Sequence, residues 1–164
     1  MTIQYKKLPQ VLAVAVMAMG LTMTAVQAAE NRGKPLQPMQ INTKWQQECS
    51  TCHIAYAPGL LPAESWRKIM ADLNKHFGSD ASLTAEENTE IADFLVKNAS
   101  NRWSAATAPL RISEAAWFKR EHRAKNVPPD AWKNSLVKSP ANCQACHTQA
   151  ERGDFSERNI KIPK

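Results

Sequence analysis

The chain has 164 residues, 21 of them basic and 15 acidic, and a formal net charge of +6. Two basic residues, Lys6 and Lys7, fall in an N-terminal segment expected to be removed, which leaves 19 basic against 15 acidic side chains. So small an excess does not point to nucleic-acid binding.

Residues 1–28 have the layout of an export signal. Lys6 and Lys7 precede the apolar run Val11 to Met19, and Val26-Gln27-Ala28 offers small residues for cleavage before Ala29. The apolar core is short for a membrane span, so the mature chain is expected not to span a membrane. Residues 29–42 contain Pro35 and Pro38 and read as a flexible lead-in. Thr43-Lys44-Trp45-Gln46 then has the pattern of a capping box opening a helix.

That helix runs into Cys49-Ser50-Thr51-Cys52-His53. The same C-x-x-C-H pattern returns at Cys143-Gln144-Ala145-Cys146-His147. This is the attachment motif of c-type haem. Two thiols on one turn, Cys49 with Cys52 and Cys143 with Cys146, can each add to a vinyl group of one porphyrin. The next residue, His53 or His147, can then ligate the iron. The gap from Cys52 to Cys143 is too wide for a zinc finger. A thioredoxin-type pair needs a βαβ setting, and little strand pattern is present. Two disulfides would use the cysteines, but neither zinc nor disulfides explains a histidine after both pairs.

Between the motifs, Pro58, Gly59 and Pro62 break the chain, and a helix is predicted from Ala63 to Phe77. Its apolar stripe is Trp66, Ile69, Met70, Leu73 and Phe77, with Gly78 as C-terminal cap. His76 sits in this stripe and is a candidate iron ligand, with Met70 as its competitor. Thr84-Ala85-Glu86-Glu87 is a second capping box, opening a helix to about Asn98 that turns Ile91, Phe94 and Leu95 inward. Residues 101–109, with Trp103, read as a connection between a first half, 43–100, and a second, 110–164.

In the second half Ser113 is a predicted cap, with Ile112 stapled against Trp117. Phe118 and His122 share a helix face, which makes His122 the second candidate distal ligand. A short helix around Trp132 follows. Ser139-Pro140 is predicted to open a helix carrying Cys143 to His147. Phe155, Ile160 and Ile162 are expected to anchor the C-terminal end.

The four histidines suffice for two ligands per iron: His53 and His147 proximal, His76 and His122 distal. The expected fold is all-α, two small helical c-type haem-binding halves packed around two covalently bound haem c groups. Two filled coordination shells would make the irons low-spin and leave no open site for a substrate. Each half is small for an independent core, so the haem-free chain is expected to be largely unfolded. Charge is uneven: residues 29–100 carry 7 basic and 9 acidic side chains, residues 101–164 carry 12 and 6. The halves would present different fields to a partner.

The stretch Cys49 to Ala63 with Trp66, the segment Pro109-Leu110-Arg111-Ile112, and the ending Cys143 to Asn159 with Gly153-Asp154-Phe155-Ser156 resemble the bacterial dihaem cytochrome c family. The resemblance spans most of residues 43–163. It implies a periplasmic electron carrier with bis-His haems. It also implies association with an oxygen-binding c-type haem protein, the sphaeroides haem protein, and with membrane b-type cytochromes. The expected function is one-electron shuttling between a donor and a haem-protein acceptor. The alternatives are a small haem oxidoreductase of peroxidase, nitrite or thiosulfate type, or a haem-based gas binder. Both need one open coordination site.

Overall fold

The computed structural model describes residues 36, 40–101 and 107–163. The predicted export signal, most of the lead-in, and Trp103 lie outside the described residues. Among the described residues there are helices and isolated β-bridges but no strand, and no helix is long and apolar enough to cross a membrane.

Helix α1 spans Thr43–Cys49 and buries Trp45. Its cap is Asn42 rather than Thr43: the Asn42 side-chain oxygen accepts from the Trp45 N–H at 2.7 Å. The Asn42 amide also donates to Glu90 at 2.8 Å, so one residue both caps α1 and ties it to a later helix. That double use favours Asn over the neighbouring Thr.

Helix α2 spans Ala63–Ala71. The predicted helix to Phe77 is interrupted at Asp72, where the backbone turns to φ −133° and ψ 40°. A 3-10 turn, Leu73–Lys75, follows. Asp72 and Asn74 are both poor helix formers. The stripe therefore divides. Trp66 and Met70 are buried and Leu73 packs against the core, but Phe77 is 45% exposed. Helix α3, Ala85–Lys97, opens with the predicted Thr84/Glu87 capping box and packs on α2 and α1. Trp45, Ala55, Leu61, Trp66, Met70, Ile91 and Leu95 form one buried cluster. Phe94 is half-buried, its ring 5.2 Å from that of Trp45. The Trp66 indole N–H donates to the Pro58 carbonyl at 2.8 Å.

The second half has one α-helix, α4, Ala116–Glu121. Ser113 does not cap it. Ile112–Glu114 forms a 3-10 turn and Ala115 takes the cap position without a side-chain bond. The segment around Trp132 is a 3-10 helix, Pro129–Lys133. The predicted helix over the second motif is also a single 3-10 turn, Cys143–Ala145. Ser139 accepts from the Ala141 N–H at 3.1 Å, two residues ahead of the motif, and so makes a local turn instead of a helix cap.

At the C-terminal end the Lys161 N–H donates to the Cys146 carbonyl at 2.8 Å and the Thr148 N–H to the Asn159 carbonyl at 3.0 Å. Ile160 is 37% exposed and anchors through the backbone, not its side chain. Leu36 joins distant parts of the chain. Its N–H donates to the Gly153 carbonyl at 2.8 Å, and its carbonyl lies where a Cβ on Gly59 would come within 3.0 Å.

Candidate functional site

The two motifs sit at the ends of short helical turns, and their four thiols are free. Among the described residues, no three His, Cys, Asp or Glu side chains gather as a metal-binding group. Burial pushes the Cys49 and Cys143 thiols up to about 11, and burial also raises Cys146.

The break after α2 turns His76 back toward the first motif. The turn is tight: the Ser79 N–H donates to the His76 carbonyl at 3.0 Å, with Phe77 at φ 51° and Gly78 at φ 99°. Two consecutive positive φ values are the signature of a type I′ turn. Gly78 suits it, whereas Phe77 is held in a region that bulky side chains rarely occupy. The result is that the rings of His53 and His76 stand with centroids 6.2 Å apart.

The second half arrives at the same spacing by other means. His122 is the C-terminal cap of α4. Its ring stacks on Phe118 at 3.9 Å and stands 6.0 Å from that of His147. Trp132 flanks His122 at 6.0 Å and Phe155 flanks His147 at 5.2 Å. The structure therefore pairs His53 with His76 and His122 with His147, each within its own half. Met70 lies in the core cluster and is buried.

A single ion held by one nitrogen of each ring, at about 2 Å per bond, puts the ring centres roughly 6 Å apart. Both pairs have that separation, so the residues fit an iron between them. The ring tautomers agree. The Nδ1 atoms of His53 and His122 lie 2.7 Å from the Ile54 carbonyl and 2.9 Å from the Phe118 carbonyl. A carbonyl can only accept, so each Nδ1 carries a proton, and in the neutral ring that tautomer leaves the Nε2 lone pair for a metal. His147 differs: its Nδ1 is buried with no hydrogen-bond partner among the described residues. Burial lowers the His76 and His147 pKa values, helped by the neighbouring histidine in each pair and, at His76, by Arg111. Both therefore favour the neutral ligating form.

A cavity of about 540 Å³ adjoins the first motif, with Trp45, Cys52 and His53 in its wall together with Gln144 and Arg152 from the second half. Another, of about 350 Å³, lies beside Phe118, His122 and Trp132. Two neighbours of the site lie in the stretches that carry the family resemblance but are not among the candidate ligands. Tyr56 stacks on His53 with centroids 4.5 Å apart. Its hydroxyl donates to the Ala141 carbonyl at 2.7 Å, and burial, aided by Cys143, pushes its pKa up to about 12. The Arg111 guanidinium lies 4.2 Å above the Phe77 ring, which in turn meets His76 edge-on at 4.8 Å.

Among the described residues, short helices without strands, closed over two such histidine pairs beside two C-x-x-C turns, have the architecture of a c-type cytochrome. The family model described as dihaem cytochrome c matches residues 45–155. The chain belongs to the dihaem cytochrome c family, and its cofactors are two covalently bound haem c groups. Among solved structures it is similar to "Crystal structure of DHC purified from Rhodobacter sphaeroides", at 47% identity and a TM-score of 0.63, over 72% of this chain and 100% of that one. It is also similar to a diheme cytochrome type c from Shewanella baltica, at 38% identity and a TM-score of 0.66, over 74% of this chain and 93% of that one. No match was found among curated proteins. Membership in this family implies electron transfer with redox partner proteins.

Proposed function

We propose that this protein is a periplasmic electron carrier in which both irons are six-coordinate and low-spin. Cys49 and Cys52 hold one haem, with His53 proximal and His76 distal. Cys143 and Cys146 hold the other, with His147 proximal and His122 distal. The observation that carries this reading is the equal spacing of the two histidine pairs, 6.2 and 6.0 Å between centroids. Bound haem iron supplies one-electron ferric/ferrous chemistry.

The chain's part is to close both axial positions and to hold the rings. The carbonyls of Ile54 and Phe118 fix the tautomer and orientation of His53 and His122. Phe118, Trp132 and Phe155 wall the second site, and Tyr56 and Phe77 flank the first. An acidic donor or acceptor would dock against the exposed Lys119, Arg120 and Arg123. The family resemblance offers a membrane b-type cytochrome and an oxygen-binding c-type haem protein as the partners.

Optical spectra of the mature protein with and without carbon monoxide test the coordination. Two low-spin haems inert to carbon monoxide are expected. His76→Ala should open the first site alone, and His122→Ala the second. Prompt carbon monoxide binding by the wild-type ferrous protein would sink the carrier reading in favour of an oxidoreductase or gas binder.

A further inference from the structure

Tyr56 and Ala141 are 85 residues apart in sequence, yet they meet at 2.7 Å. One face of Tyr56 lies on the His53 ring, 4.5 Å between centroids and 23° from parallel. Its hydroxyl donates to a carbonyl that also accepts from the Cys143 backbone N–H at 3.0 Å. One side chain thus touches the candidate proximal histidine of the first site and the peptide that presents a candidate attachment cysteine of the second. Independently, Gln144 of the second motif shares a cavity wall with Cys52 and His53 of the first. The two motifs adjoin on this side of the molecule, and Tyr56 bonds them directly.

We propose that Tyr56 is a positioning residue that ties the two haem sites together, holding the turn before Cys143 against the first motif. This rests on the reading of both motifs as haem sites. Ring and hydroxyl have separable tasks. The ring supports His53 by stacking, and the hydroxyl pins the carbonyl of the turn that leads into Cys143. Releasing that turn would let water reach the second site, and water favours the ferric form, which carries the extra positive charge, and so lowers the potential.

The test uses the full holo-protein and two variants. Tyr56→Phe keeps the stack and loses the bond, whereas Tyr56→Leu loses both. Signals are assigned to each site by the one perturbed in His76→Ala or His122→Ala. Tyr56→Phe should leave the electron-paramagnetic-resonance g-values of the first site unchanged. It should shift the second site's reduction equilibrium toward ferric by roughly threefold to tenfold, up to about 59 mV. Tyr56→Leu should move both sites. If Tyr56→Phe lowers Tm but leaves the second site's potential and g-values at wild-type positions, Tyr56 merely stabilises the fold and the proposal fails. These readings do not depend on carbon monoxide binding, so failure of the carrier reading and failure of the Tyr56 role are distinguished.

Discussion

The two halves hold matching histidine pairs in unlike frames. The first half surrounds its pair with helices α1, α2 and α3 and a cluster containing two tryptophans, Leu61, Met70, Ile91 and Leu95. In the second, Phe118 and Val137 are buried, but the other buried hydrophobic residues among those described are Ala115, Ala131 and Ala150, set on one short helix and a series of 3-10 turns. Alanines remove little apolar area from water. The first half therefore has side-chain packing of its own to stand on, while the second depends on the flat apolar face of its cofactor and on the first half beside it. The same ligand spacing does not require the same scaffold.

The most severe way to sharpen that contrast is to block attachment one motif at a time. Cys143→Ala with Cys146→Ala should abolish amide protection across residues 110–163 in hydrogen exchange and spare α2 and α3. Cys49→Ala with Cys52→Ala should cost the first half less of its protection. Equal collapse in both variants would break the comparison. Next in size is Trp66→Ala, which empties a buried site and leaves the Pro58 carbonyl with only the longer bond from the Leu61 N–H, at 3.4 Å. About 3–5 kcal/mol should be lost, read by denaturant unfolding, with the second site's spectrum shifting after the first half opens. Thr84→Ala removes half of the capping box and should cost about 1 kcal/mol, confined to α3 protection.

The smallest effect lies in the second half. Asp154 accepts from the Ser156 hydroxyl and N–H, from Asn159 at 2.8 Å, and faces Arg158 at 3.7 Å. The Ser156 bonds, with Arg158 and Asn159 adding to them, hold its carboxyl below the usual aspartate range. A carboxyl depressed on folding contributes above the unfolded value of about 3.9 and loses that contribution as pH falls through the folded value. Asp154→Asn should lower Tm slightly at pH 7, and the gap from wild type should close as pH falls below the aspartate range. A gap that persists in acid would mean the carboxylate's charge is not what holds this turn.

The sequence made the chemistry more legible than the geometry. Both attachment motifs and the Thr84/Glu87 box could be read locally, because each is a short pattern with a fixed chemical reason; His76 and His122 were reached only as the two histidines left over, on helix faces. The Ala63 helix carried too far because a continuous apolar stripe to Phe77 outweighed Asp72 and Asn74, two poor helix formers at the point where the α-helix gives way to a 3-10 turn. Ser113 and Ser139-Pro140 looked like helix caps, but turns prevail at both, and little apolar surface in that half rewards a longer helix. Tyr56 and Arg111 stand in stretches that carry the family resemblance, but their contacts went unseen for another reason. Their partners, Ala141 and Phe77, lie 85 and 34 positions away in sequence, and no local pattern encodes such a meeting.

Leu36 has a consequence for the order of folding. Each thioether pair closes a loop of only a few residues, and the proposed ligand pairs close loops of 23 and 25. The Leu36–Gly153 bond spans 117 residues. The entropic cost of joining chain ends grows with the logarithm of loop length, and contacts between distant residues form slowly. The halves can therefore gather around their cofactors first, with the N-terminal clasp closing across the finished pair. In the native state this clasp should be among the earliest contacts to open.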